Sequence, residues 1–504
     1  MEKIIIIGGG LGGLFTGALL AKEGYPVTVL EKNPVIGGGL QTFYRYGAGF
    51  ESGMHLLGGM HPGQSIYKIC RYLGIMDQLE IRDVDHDCMD QITYLSDGKT
   101  YRVPQGKEAF ADYFSAEFPD EKDAIHAYVD AFYQLVDEID FFYLRTGNEH
   151  VYSHSDYFLW PADQFVNHFL KDHRLRDVIS YMNPMFGGIA GHTPTYIHAL
   201  INVLYIDGPS RFVGNSQQMA DALARVIEAC GGTVITRARV TKLNIEDRQL
   251  RSLQYEKDGQ LVVMDCDMAH VIADVHPSVL LGMTDSKVFS KAYRSRIDQA
   301  PNSYSSFCVY VVFKPGTFPF INHTCYCQKD YGMVWHYNEY DEEDWPRGFL
   351  YMTPVGKNQG LWASTMIINC IMPSEVVARW ADTTTGHRGP EYDAWKQRHI
   401  DKVLTVMKQL YPGFDRTIAH VFASSPLTIR DYYNEPDGAL YGLRKDCQHI
   451  AQSQVPVYTK VRNLLMTGQN VNLHGFCGVP LTAINTAEAI VGVNKITCQI
   501  NRFE

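Results

Sequence analysis

The chain has no run of eighteen apolar residues among its 504 positions, so no helix is expected to span a bilayer. Only four isoleucines precede the first glycines, too few for the apolar core of a secretory signal, so a cytoplasmic protein is expected. Positive charge is also short. Forty-five Lys and Arg stand against 56 Asp and Glu, a net charge of -11, which disfavours nucleic acid as a partner. The eleven cysteines include no C-x-x-C pair, and the expectation is of reduced, buried thiols rather than metal or disulfide chemistry. His192 and His198 are six apart, unlike a helical zinc pair, so no metal site is expected. No G-x-S-x-G elbow motivates a serine hydrolase. No repeat or low-complexity linker divides the chain, although its length favours two domains.

Glycine, in contrast, is crowded at the start. Ile4–Ile7 is a short apolar run of the kind that forms a parallel strand buried on both faces. Gly8-x-Gly10-x-x-Gly13 follows, then a helical stretch through Lys22, a second buried strand at Val27–Leu30, and Glu31. Gly8 permits a tight turn, Gly10 lets a pyrophosphate approach the backbone, and Gly13 lets helix and strand pack closely. Gly17 keeps the next turn of that face small. The first helical N–H groups are free for phosphate, and Glu31 can accept from a ribose diol. This is a dinucleotide-binding unit. A second glycine cluster, Gly37, Gly38 and Gly39, and a third around Gly53 lie within thirty residues of Glu31. Bare backbone over that length suits FAD, with its ribityl chain and ring, better than a nicotinamide dinucleotide.

Near the other end, Leu464–Thr467 reads as a buried strand, followed by Gly468, Gln469 and Asn470 and a loop holding Gly475 and Gly478. Pro480 suits the first position of a helix running through Ile490. Such a helix would aim its positive end at the flavin pyrimidine edge. The amides of Gln469 and Asn470 suit ribityl hydroxyls.

Six segments together resemble one family: "GGGLGGL", "EKNPVIGGGLQTF", "FESGMHLLGG", "GPSRFVGNSQQMADALARVIEACGGTVITRARVTKL", "YNEPDGALYG" and "TGQNVNLHGFCG". They are similar to the flavoproteins comprising phytoene desaturases, carotenoid isomerases and retinol saturases, within the wider amine-oxidase-like group. The retinol-saturase branch resembles this chain most at Glu51, Gly53 and His55. The chain departs from the pattern at Gly214-Asn215, where the family has Gly-Gly, and at Glu51 and Asn470, where the branch has Asp. The resemblance implies an α/β fold, a Rossmann-like FAD-binding domain interleaved with an α+β substrate domain. It implies non-covalent FAD and chemistry on carbon–carbon double bonds of a lipophilic polyene or isoprenoid-like substrate. Matching positions imply cofactor contacts at Leu11 and Gly12 in the first loop, at Lys32 beside Glu31, and at Leu40, Gln41 and Thr42 after the second glycines. Val240 matches a backbone contact to adenine, and Val479 follows Gly478 in the last motif.

The FAD-binding domain is expected in residues 1–75, 205–295 and 425–504, and the substrate domain in 76–204 and 296–424. The first insert reads helical, with Ile125, Tyr128, Val129, Phe132, Leu135, Val136, Ile139, Phe142 and Tyr143 on one face. That stripe is either core or a lipid-facing surface; the aromatic group Tyr157, Phe158 and Trp160 shares the ambiguity. The second insert opens with "SYSSFCVYVVFKPG", a strand pattern expected to begin a sheet over the flavin. Saturating a double bond needs hydride at one carbon and a proton at the other, and His55 and Tyr441 are the candidate proton donors. NADH or NADPH would serve as electron donor. A lipid substrate also predicts peripheral contact with a membrane. Two alternatives stay open from sequence: a flavin amine oxidase, and a non-catalytic lipid-binding protein of the dissociation-inhibitor type.

Overall fold

The structure, a computed structural model, describes residues 2–146 and 154–503. Five strands form a wholly parallel sheet in the order Leu464–Met466, Ala269–Ala273, Lys3–Ile7, Val27–Leu30, Thr233–Ile235. The first four are short, largely apolar runs whose residues are mostly buried, and the edge strand Thr233–Ile235 is partly exposed. The helix Leu11–Lys22 packs between Gly475–Val491 and Gln217–Ala229. Gly17 makes that approach feasible: a Cβ there would lie 3.0 Å from Ile227 and 3.1 Å from Ile6. The chain enters this sheet at its first strands, leaves it, returns in the middle and finishes it near the C-terminus.

A second sheet has seven strands, ordered Ile418–Ser424, Ser305–Phe313, Thr365–Met372, Gly348–Met352, Thr324–Gln328, Asp90–Tyr94, Thr100–Val103. All neighbours are antiparallel except Thr324–Gln328 with Asp90–Tyr94. The first insert is therefore not helical throughout. Asp90, Ile92 and Tyr94 alternate inward over only five residues, too short a signal to outweigh the helical periodicity that follows.

Period-two alternation gives this sheet two different faces. Phe307, Val309, Val311, Phe349, Tyr351, Met366, Ile368 and Cys370 pack against the helix Pro390–Leu410 through Trp395, Val403 and Met407. Their neighbours in the strands, among them Ser306, Cys308, Leu350, Met352, Asn369 and Ile371, look the other way, into a cavity.

The aromatic stripe of the first insert is core. Ile125, Tyr128, Val129, Phe132, Leu135 and Val136 are buried in the helix Lys122–Asp137, and Tyr128 Oη lies 2.6 Å from His198 Nε2 on the helix Thr195–Ile206. Tyr157 and Phe158 are half-buried, whereas Leu159 is 44% and Trp160 37% exposed. Among the described residues no helix is long and apolar enough to cross a membrane.

Candidate active site

A cavity of about 620 Å³ joins the two sheets. One end is built by the glycine loop. The strand Lys3–Ile7 delivers Gly8, whose φ of +105° needs a residue without Cβ, and the helix begins with Gly10 as its cap. Gly8, Gly10, Leu11 and Gly12 line the cavity, while Gly13 sits behind them. A Cβ on Gly13 would come within 2.1 Å of the Gly8 carbonyl, so its role is packing, as its spacing predicts. The second cluster folds onto the first: Gly37 donates its N–H to the Gly9 carbonyl at 2.7 Å, and Gly38 rests against Gly10. Gly38, Gly39 and Leu40 continue the wall; Gln41 turns away to the Val35 carbonyl, and Thr42 also lies outside the lining.

Glu31 is buried and lines the same end, beside Lys32. Its carboxylate accepts N–H groups of Gly9 at 2.8 Å and Asn33 at 2.7 Å, which fixes its position and leaves lone pairs for a further donor. Burial raises its pKa against those hydrogen bonds. Val240 lines the cavity where the strand Ala238–Glu246 breaks register, between Val240 and Lys242, the kind of bulge that presents backbone to a ligand.

The C-terminal unit differs from expectation. The helix begins at Gly475, not at Pro480, and Pro480 stands inside it. The bond that proline cannot make is the one to the Phe476 carbonyl, an early loss that the helix tolerates. Gln469 and Val479 line the cavity, and Gly475 and Phe476 join them. Asn470 does not: its Oδ1 accepts the Leu443 N–H at 2.7 Å, so the amide braces a loop. Gly468 and Gly478 stand back from the wall, the first against Asp274, the second where a Cβ would meet Leu473 at 2.5 Å.

Gly53, His55 and Tyr441 all line the cavity. His55 Nδ1 lies 3.5 Å from Glu51 Oε2, as expected of an orienting carboxylate. The Tyr441 hydroxyl is committed, donating to the Pro184 carbonyl at 2.9 Å, and burial pushes its pKa well up. That makes it a poor proton source.

Three groups stand out only in the structure, although Glu435 and His474 lie in segments that carry the resemblance. Asp274 follows the strand Ala269–Ala273, and its Oδ2 accepts the Gly13 N–H at 2.7 Å. Burial pushes its pKa up to about 7 against that bond. The signal was present, since Ala269–Asp274 repeats the strand-then-acid pattern of Val27–Glu31. Glu435, pushed up to about 8 by burial, accepts from Gln469 Nε2 at 3.3 Å. His474 caps the C-terminal helix with both ring nitrogens buried and unpartnered, and burial beside Lys445 pushes it down to about 3.

A glycine-cradled cleft at the carboxyl ends of a parallel sheet, continued by an apolar sheet face, defines a nucleotide-dependent oxidoreductase of two interleaved units. Residues 11–323 match the family described as flavin containing amine oxidoreductase, and the chain belongs to that family of flavin-dependent oxidoreductases. It is 24% identical to all-trans-retinol 13,14-reductase of Danio rerio over 97% of this chain and 86% of that protein. It is likewise 24% identical to the neurosporene-forming phytoene desaturase of Cereibacter sphaeroides, over 97% and 94%. Putrescine oxidase bound to putrescine shares the fold, with a TM-score of 0.64, 15% identity, and coverage of 97% and 99%.

Proposed function

We propose that the chain is an FAD-dependent oxidoreductase that saturates, desaturates or isomerises carbon–carbon double bonds of a lipophilic, polyene or isoprenoid-like substrate. The observation that carries this reading is the division of the cavity. Its charged lining residues, Glu31, Lys32, Arg239, Asp274 and Glu435, all lie off the seven-stranded sheet. The sheet wall is Leu350, Met352 and Ile371 with a few neutral polar groups, completed by Met185, Pro184 and Leu440. An alkyl chain loses nothing by entering such a wall, whereas an ammonium group there would lack a counter-ion.

The residues present fit FAD. Gly10 and Gly12 leave space that a side chain would fill, Leu11 and Gly12 offer amides at a helix start, and Glu31 offers acceptor capacity to a ribose diol. FAD, when bound, supplies the electron-pair and single-electron chemistry that the reaction requires. The chain's own part is to hold the substrate against the sheet, exclude water, and deliver or accept a proton. His55 carries that proton on Nε2, because Nδ1 faces Glu51. NADH or NADPH is the proposed electron donor. The exposed Leu159 and Trp160 support a peripheral approach to a lipid surface.

Anaerobic reduction of the purified yellow protein by NADH or NADPH, followed by reoxidation with candidate polyenes, tests this reading. Reoxidation by a polyene with loss of its conjugated absorbance is expected. Peroxide release on amines, without reaction of any polyene, would overturn it.

A further inference from the structure

Three of the four neutral polar side chains on the sheet wall stand together; the fourth, Thr324, already accepts from Arg211 at 3.1 Å. Ser306 and Cys308 alternate on the strand Ser305–Phe313, and Asn369 is the register partner of Cys308 on Thr365–Met372. All three line the cavity. The Cys308 thiol donates to Asn369 Oδ1 at 2.7 Å, and Ser306 Oγ lies 3.1 Å from Cys308 Sγ. In this arrangement the Asn369 amide turns its oxygen to the thiol. That leaves the two N–H groups of Nδ2 as donors.

Asn369 is also the one residue of its strand that is not fully buried. Hydrogen-bonded neighbours flank that strand on both sides, so the exposed atoms face the cavity. A sheet designed only to hold hydrocarbon would gain from Leu or Val at these places, since unused polar groups in an apolar wall cost stability. No lysine or arginine on the sheet wall accompanies the three, so a carboxylate brought here would lack a partner.

We propose that Ser306, Cys308 and Asn369 form the recognition point for an uncharged oxygen, hydroxyl or carbonyl, carried by an otherwise apolar substrate. The assignment rests on the double-bond reading above and adds to it which residues read the polar end. Asn369 Nδ2 donates to the ligand oxygen. Ser306 accepts from it if it is a hydroxyl, and Cys308 holds the amide in register.

The test uses the FAD-loaded protein and three matched C20 isoprenoid chains: the alcohol, the hydrocarbon and the carboxylic acid. Binding is followed by perturbation of the flavin absorption spectrum. The wild-type protein is expected to prefer the alcohol over the hydrocarbon by about tenfold, the worth of roughly one good hydrogen bond. The double variant Cys308→Ala with Asn369→Leu is expected to bind the two within about twofold, with hydrocarbon affinity unchanged. Asn369→Leu alone, nearly equal in volume and retaining the thiol, serves where the double variant fails to hold FAD, with the same collapse expected. A variant that keeps the alcohol preference, or tightest binding of the acid by wild type, would overturn the assignment. So would an equal loss for all three chains, which marks a merely structural role. Failure of the wild-type protein to take any of the three chains would overturn the double-bond reading itself, and this assignment with it.

Discussion

Asp274 accepts a hydrogen bond from the backbone N–H of Gly13 at 2.7 Å, so a carboxyl from the middle of the chain sits on the first turn of the first helix. It is also close to Gly12 and Gly468, whose missing side chains make the room. A phosphate brought to Leu11 and Gly12 therefore meets Asp274, and the two negative charges oppose each other unless the carboxyl keeps its proton.

FAD affinity should consequently fall as pH rises through the range set by Asp274, at about 7, and Glu435, at about 8. Glu31, the third acid of this end, is also raised by burial. The sign for stability is the same. Asp274 in the folded protein binds a proton between the ordinary carboxyl value of 3.8 and about 7, where the unfolded chain has released it. Stability therefore declines as pH rises through that window and stays low above it. Asp274→Asn should flatten both dependences, read by flavin fluorescence titration and by thermal melts across pH.

Gly13→Ala and Gly39→Ala should fail in different ways. A Cβ on Gly13 meets backbone at 2.1 Å, and the expected loss of stability is about 3 kcal/mol, with little folded protein recovered. A Cβ on Gly39 meets nothing within 4 Å but projects from a cavity-lining position. That variant should melt like wild type and retain less FAD. Equal melting and equal FAD content for both would refute the division of roles.

His55→Gln should keep FAD and lower turnover by about 10²- to 10⁴-fold, as for loss of a general acid. Tyr441→Phe should lower turnover less than about tenfold, because its hydroxyl already serves the Pro184 carbonyl, and should cost about 1 kcal/mol of stability. The reverse ranking in steady-state kinetics would exchange their roles.

Leu159→Ser with Trp160→Ser should weaken flotation with phospholipid vesicles while leaving FAD content unchanged. Vesicle binding that survives in this variant would place the contact elsewhere.

The glycine loop, the strand Val27–Leu30 and Glu31 were legible because they lie within one stretch of chain, where turn, helix start and acid are set by local backbone geometry. The strand opening the second insert was legible for the same reason, through its β-branched run. Pro480 misled, since a proline that suits the first position of a helix also survives one turn deeper when only one carbonyl is left waiting. Asn470 misled because its residue type is equally apt for a ligand or for the Leu443 N–H, and only the surrounding loop chooses. The strand Asp90–Tyr94 was missed because five residues carry too little periodicity.

Sequence by itself determined that a dinucleotide is cradled here, since the glycines, the free helix amides and the acid act through bonds between near neighbours. Only the tertiary structure decided what surrounds that cradle: Asp274 on the loop, Glu435 on Gln469, and the cluster of Ser306, Cys308 and Asn369 across the cavity. Those contacts join residues 261 positions apart for Asp274 and Gly13, 61 for Cys308 and Asn369, and 34 for Glu435 and Gln469. Their energies depend on burial and distance, quantities that exist only once the two sheets have closed on one another.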